Sequence, residues 1–201
     1  MSPSCLMQQV LGDDWQRLPP ALKKHHLAQR YADLGHLDIV YPPFMQACLN
    51  LLSWFGVLFN HRGKALATQV VKTIDGHQLH WKRRIQLPDG QVMTFNSRWE
   101  TAGDHAIIEY VNAFLGLKMR LRVADGLIHY EGVYFVLKLG MVKLPIPEWL
   151  ILGHCIIVEK ALDEDHFHME FHLQHPLLGR LYHYRGRFHT ASQSGKIIMV
   201  T

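Results

Sequence analysis

The chain has 201 residues, 48% of them hydrophobic and 19% charged, a make-up that fits one ordinary globular unit with a sizeable core and excludes a disordered or fibrous chain. Its formal charge of +4 is mild and its cations are scattered among acids, so charge makes no case for nucleic-acid binding. Cys5, Cys48 and Cys155 are far apart, odd in number and outside any CxxC pair, which argues against a disulfide framework or zinc ribbon and for a reducing cytoplasm.

The amino-terminal stretch lacks the basic start and long apolar run of a secretory signal. The next segment, "LPPALKKHHLAQRYADLG" at 18–35, predicts a helix that starts near Pro20 and stops at Gly35. Leu27, Tyr31 and Leu34 would share its inner face, with Lys23, Lys24, Gln29 and Arg30 toward water. "HLDIVY" is a short extended run ending at Pro42 and Pro43. A second helix is predicted over 44–59, with Met45, Cys48, Leu49, Leu52, Phe55 and Phe59 on one side. Leu51, Trp54 and Leu58 widen that stripe, so the helix is either buried on most sides or lies against an apolar surface. It falls short of the ~20 residues that cross a bilayer.

From Lys64 the pattern becomes a series of short alternating runs broken by Gly, Pro and Asp. The breaks at Asp75–Gly76, Asp89–Gly90 and Asp125–Gly126 are hairpin signals. About nine or ten strands follow one another with no helical pattern between them, which points to an antiparallel meander. The chain thus divides into a helical amino-terminal part, 14–60, and a β-rich part, 64–190, within one domain. The fold expected is mainly β: an antiparallel β-barrel or strongly curved sheet capped by the hydrophobic helix. The alternative is a helix-grip α+β domain, against which stands the absence of a helical pattern after Phe188.

Two charges sit in apolar rows. Leu79, Trp81, Ile85 and Leu87 share a face with Arg83, and Ile107 and Val111 share one with Glu109. An unpaired buried charge costs several kcal/mol. Either these two pair with each other, or they line a cavity where water or a ligand pairs with them, or the register differs and they face solvent.

The stretch "DHFHMEFHLQHP" alternates Phe167, Met169, Phe171 and Leu173 with His166, His168, Glu170 and His172. Paired with the following strand, His172 would face His183, Glu170 would face Arg185, His168 would face Arg187 and His166 would face His189. Arginines beside His168 and Glu170 make a poor metal site, so no metal is assigned; a solvated, pH-sensitive histidine face is expected, with a polar lining inside the barrel as the alternative. There is no GxSxG, no Walker loop, no GxGxxG and no HExxH.

"LGDDWQRLPPALKKHH", "HWKRRI", "MTFNSRW", "AIIEYV", "LPIPEWL" and "HPLLGRLYHYRGRF" occur in that order. Together they resemble an uncharacterised bacterial domain family, domain of unknown function 4166, across roughly 11–188. Some members are fused to saccharopine-dehydrogenase-like or epimerase-like modules, which implies a dehydrogenase-type partner protein. The resemblance implies recurring positions at Arg83, Ser97, Glu109, Tyr184 and Gly186; around "GHLDIVYPPF" this chain is less glycine-rich than the family pattern. It implies no established activity and no cofactor.

The function expected is binding of a small, mostly apolar, anionic or amphipathic molecule inside the barrel. Trp81, Phe95, Met119 and Leu121 would form walls and Arg83 would anchor the head group, with Ser97, Glu109, Tyr184 and His183 as further ligand contacts. Tyr110 and Tyr130 are less specific neighbours. Two other classes compete: an enzyme on such a ligand with Glu109 or His183 as acid–base group, and a module that docks on a membrane or partner through the helix at 44–59.

Overall fold

The computed structural model describes residues 5–28, 30–76 and 78–192. The sheet has eleven strands: β1 Tyr31–Val40, β2 Gly63–Asp75, β3 Gln78–Gln86, β4 Val92–Thr101, β5 Ala106–Tyr110, β6 Leu115–Ala124, β7 Leu127–Leu139, β8 Val142–Ile146, β9 His154–Ala161, β10 His166–His175 and β11 Gly179–Ser192. Consecutive antiparallel neighbours run β6-β5-β4-β3-β2-β1-β11-β10-β9-β7, and a further β6–β7 pairing closes the ring into a ten-stranded barrel. Closure removes the sheet edges and leaves an inside and an outside to every strand. β7 pairs with β9 along its first half and with β8 along its second, so β8 is a finger outside the ring.

The predicted hairpins are present, and the register proposed for the histidine-rich hairpin is the one observed: His172 faces His183, Glu170 faces Arg185, His168 faces Arg187 and His166 faces His189. Phe167, Phe171 and Leu173 are buried on the inner face while the histidines stay on the outer one.

The amino-terminal third corrects the sequence reading. α1 (Leu6–Leu11) and a 3-10 turn over Gly12–Arg17 precede α2 (Pro20–His26), which ends a full strand earlier than expected. Tyr31 onward is β1, hydrogen-bonded to β11 on one side and β2 on the other. Completing the barrel wall satisfies backbone groups on both sides of the strand, and that outweighs the local helical pattern. Leu34 is therefore exposed, and Gly35 is no helix stop. It sits where a Cβ would lie 2.0 Å from the Arg187 carbonyl oxygen, under the Phe188 ring. Gln29 and the tail at 193–201 lie outside the described residues.

α3 spans Met45–Trp54, shorter than the predicted 44–59. Met45 and Leu49 face inward, but Leu51, Trp54 and Phe55 are exposed, so the helix caps the barrel without being surrounded. Gly56 adopts φ of 66° and turns the chain so that Val57 and Phe59 return to the core. Because turns of a meander alternate ends, α3 shares its end with the β3–β4, β5–β6, β7–β8 and β10–β11 turns. α1 and α2 plug the other end, where Val10 accepts a hydrogen bond from His105 in the β4–β5 turn and Lys24 pairs with Asp165 in the β9–β10 turn. Among the described residues no helix is long and apolar enough to cross a membrane.

Candidate ligand cavity

The inward rows enclose a cavity of about 100 Å³. A water needs roughly 10–15 Å³ on this measure, so the space holds several. Its walls are Trp81, Phe95, Trp99, Leu117, Phe135, Ile157, Phe171 and Tyr184, and Val57, Leu58 and Phe59 close it under α3.

Arg83 and Glu109 both reach this apolar chamber, and their side chains are each 12% exposed. One guanidinium nitrogen, Nη1, donates to Ser97 Oγ at 2.9 Å and to Glu109 Oε1 at 3.3 Å. Nη2 donates to the same carboxylate oxygen at 3.3 Å. The guanidinium also lies 5.1 Å from the centre of the Trp81 ring and 5.4 Å from that of Phe95. The two alternatives drawn from the sequence hold together: the charges pair, and they line a cavity. Among the described residues Oε1 is the Glu109 oxygen that is engaged, and the pair is long, which leaves donor and acceptor capacity at the cavity surface.

A second polar group closes the plugged end. His25 and His26 project from α2, and with Asp33 of β1, Lys72 of β2 and Glu159 of β9 all five are buried. His25 Nδ1 lies 2.8 Å from Asp33 Oδ2, and Lys72 Nζ donates to the same oxygen at 2.6 Å and to the His25 carbonyl. His26 Nε2 lies 2.9 Å from Glu159 Oε2, to which Tyr130 donates at 3.2 Å. Burial pushes both carboxyls up, but Lys72 and His25 outweigh it at Asp33, and His26 and His25 outweigh it at Glu159. Both acids are held below the ordinary range. Burial also pulls the bases down. At His25 the Asp33 and Glu159 charges reverse this and raise it, whereas His26 and Lys72 stay lowered. The cluster thus sets two acids against three bases, with all five side chains buried.

His25, Tyr130 and Glu159 form the cavity floor. His25 Nε2 and Glu159 Oε1 stand 3.5 Å apart, close enough for an ion pair but without hydrogen-bond geometry. The indole N–H groups of Trp81 and Trp99 are buried and find no acceptor among the described residues. Each such group costs about 1–3 kcal/mol until a partner arrives.

His25, His26 and Glu159 bring ligand atoms within 4.8 Å of one another, as do Glu170, His172 and His183 on the outer face. Protein cations flank both groups. Lys72 Nζ is 3.4 Å from His25 Nδ1; at His183 burial is the main cause of a lowered pKa, and His172, Arg180 and Arg185 add to it. A divalent ion is disfavoured in either setting.

A model of the family described as a domain of unknown function, DUF4166, matches residues 18–188. The chain belongs to this family. No curated protein matches it. Among solved structures, the crystal structure of Rv2717c from M. tuberculosis is similar at a TM-score of 0.49 and 13% identity, over 87% of this chain and 99% of that one. In this DUF4166 chain the matched stretch contains every residue of the cavity wall and floor.

Of the residues singled out from sequence, Arg83, Glu109, Trp81, Phe95 and Tyr184 line the cavity, and Tyr130 joins them. Ser97 touches Arg83. Four are placed elsewhere, among them Tyr110, which is buried but outside the lining. Met119 and Leu121 are buried core residues outside the lining, because their part of β6 packs toward the plugged end. His183 lies on the outer face, its ring stacked 4.4 Å from His172, since the β11 positions that face inward are those of Tyr182 and Tyr184. Sequence reasoning missed His25, His26, Asp33, Lys72 and Glu159. Lys72 between Val70 and Ile74, and Glu159 after Cys155 and Ile157, break apolar rows just as Arg83 does.

Proposed function

We propose that the barrel interior binds a small, mostly apolar molecule with an anionic or oxygen-bearing head. The Arg83–Glu109 pair in the mostly apolar wall of the chamber carries this reading: a ligand oxygen placed at the guanidinium gains a charge-assisted hydrogen bond away from bulk water. The unpaired indole N–H groups of Trp81 and Trp99 support a ligand that brings acceptors. Ligand sites commonly measure ~300–1,000 Å³, so the chamber as it stands takes a compact molecule, and a longer one needs α3 displaced. The competing catalytic reading gains no support from the geometry: Glu109 is tied to Arg83 and His183 faces outward.

Native mass spectrometry of protein purified from cells tests for a retained small molecule. Titration with a medium-chain fatty acid and the matching alcohol tests the anchor. Wild type should prefer the acid about tenfold, and Arg83→Ala should lose that preference. Because Arg83→Ala strands Glu109, the double variant Arg83→Ala/Glu109→Gln is measured beside it. An unchanged preference in both would overturn the anchor role, and no binding of either probe to wild type would overturn cavity binding.

A further inference from the structure

The capped end of the barrel presents an apolar surface assembled from five separate segments. Each contributes at least one large exposed side chain: Trp54 at the end of α3, Phe114 in the β5–β6 turn, Met141 at the tip of the β7–β8 finger, Trp149 in the short 3-10 turn over Glu148–Leu150, and Leu177 in the β10–β11 turn. Trp54 is 86% exposed and Trp149 59%, unusual values for the residue type most often kept largely from water. Chain connections bring all five to one end, so the apolar surface is assembled from side chains that project from separate segments.

Charge is sorted along the same axis. Arg62, Lys64, Lys138, Lys143 and Arg180 share that end with the apolar side chains, and the acids there are Asp89, the buried Glu148 and Asp38, which is paired with Arg185. The plugged end holds Asp13, Asp14, Asp75, Asp104, Asp125, Asp163, Glu164 and Asp165, only partly offset by Arg17, Lys23, Lys24 and Arg30. A self-complementary dimer through the capped end would set like charges against each other. An anionic bilayer accepts both features at once: interfacial Trp, Phe and Leu enter the headgroup layer while Lys and Arg meet lipid phosphates. The net charge of +4 understates this, because the two ends cancel in the sum.

We propose that the α3 end of the barrel is a membrane-docking surface, seating Trp54, Phe114, Met141, Trp149 and Leu177 in the headgroup region of an anionic bilayer. The inference rests on the outer surface alone and stands or falls separately from occupancy of the cavity. Docked this way, α3 and the segment at 55–59 that closes the cavity face the lipid.

The test is flotation of the full chain with phosphatidylcholine vesicles, with and without phosphatidylglycerol. Binding is expected only with the anionic lipid and should weaken as salt is raised. Trp54→Ser/Trp149→Ser should reduce it by about tenfold or more, and Lys138→Glu/Lys143→Glu by a similar factor. Trp54, Trp149 and Lys143 are exposed and Lys138 is half-buried, and circular dichroism confirms that the variants fold. Vesicles carrying brominated lipid should quench the wild-type tryptophan fluorescence through Trp54 and Trp149, since Trp15, Trp81 and Trp99 are buried. Absence of flotation with phosphatidylglycerol, or flotation indifferent to the tryptophan pair, would overturn the proposal. So would Trp54-dependent self-association without vesicle binding, which would assign the surface to a second copy, or capture of an acidic protein in place of lipid.

Discussion

At the plugged end of the barrel, α1 and α2 send Met7, Leu11 and Leu22 into the core and join the wall through a buried cluster of ion-paired acids and bases. At the other end α3 rests on Met45 and Leu49, and side-chain hydrogen bonds at its margins fasten it. One closure is over-determined and the other is held by few interactions. Stability should therefore depend on the first end and access to the interior on the second.

The largest effect is expected at Lys72. Its ammonium is the main counter-charge to Asp33, and neither group reaches solvent. Lys72→Met leaves Asp33 buried beside His25 alone, and should cost about 3–5 kcal/mol in urea unfolding. Trp54→Ser, at the capped end, should stay within about 0.5 kcal/mol of wild type. Equal costs at the two sites would erase the distinction between the ends.

Acid exposes the same asymmetry. Asp33 and Glu159 have folded pKa values below their unfolded ones, so the stability they confer is present above the unfolded value of about 4 and is lost as pH falls toward the folded value. His26 is lowered, so the unfolded chain binds its proton first and stability already declines below about pH 6.5. His25 is raised, so its contribution grows as pH falls toward about 6.5 and opposes no loss below that; thermal melts should show a shallow decline beginning only below about pH 6.5 and a steeper one below about pH 4. Glu159→Gln should flatten the steep limb, and a limb of unchanged slope would place its origin elsewhere.

These two regions also differ in how far they can be read from sequence. The barrel was legible because hairpin turns and period-two alternation are local signals: Asp125–Gly126 closes β6 onto β7, and the pairing of His172 with His183 follows from counting outward from the turn. Arg83 and Glu109 stood out as charges in apolar rows, and the structure brings them together. The buried cluster was less legible because it joins residues from α2, β1, β2 and β9. Asp33 lay inside a stretch whose local pattern favours helix, so its inward direction could not be assigned before β1 was known. The exposed apolar end was half legible. The wide stripe of 44–59 showed an unspent hydrophobic surface, but Met141, Trp149 and Leu177 join it only through the alternation of turns in the closed barrel.

The finest distinction concerns the latch. Asn112 Nδ2 donates to the Phe55 carbonyl at 2.9 Å, tying the end of α3 to the β5–β6 turn, while its Oδ1 accepts from the Phe114 and Leu115 amides and shapes that turn. Asn112→Asp keeps the acceptor and removes the donor, so the turn stays intact and only the latch is lost. Stability should fall by no more than about 1 kcal/mol, whereas the exchange rate of a cavity-bound apolar probe should rise several-fold. Asn112→Ala removes both functions and should add a stability loss to the same kinetic change. If Asn112→Asp leaves probe exchange at the wild-type rate, the Phe55 carbonyl contact does not hold the chamber shut. The gate would then lie on the other flank of α3, where Tyr41 donates to the Asn60 carbonyl at 2.6 Å and Gln46 donates to the same oxygen at 2.9 Å.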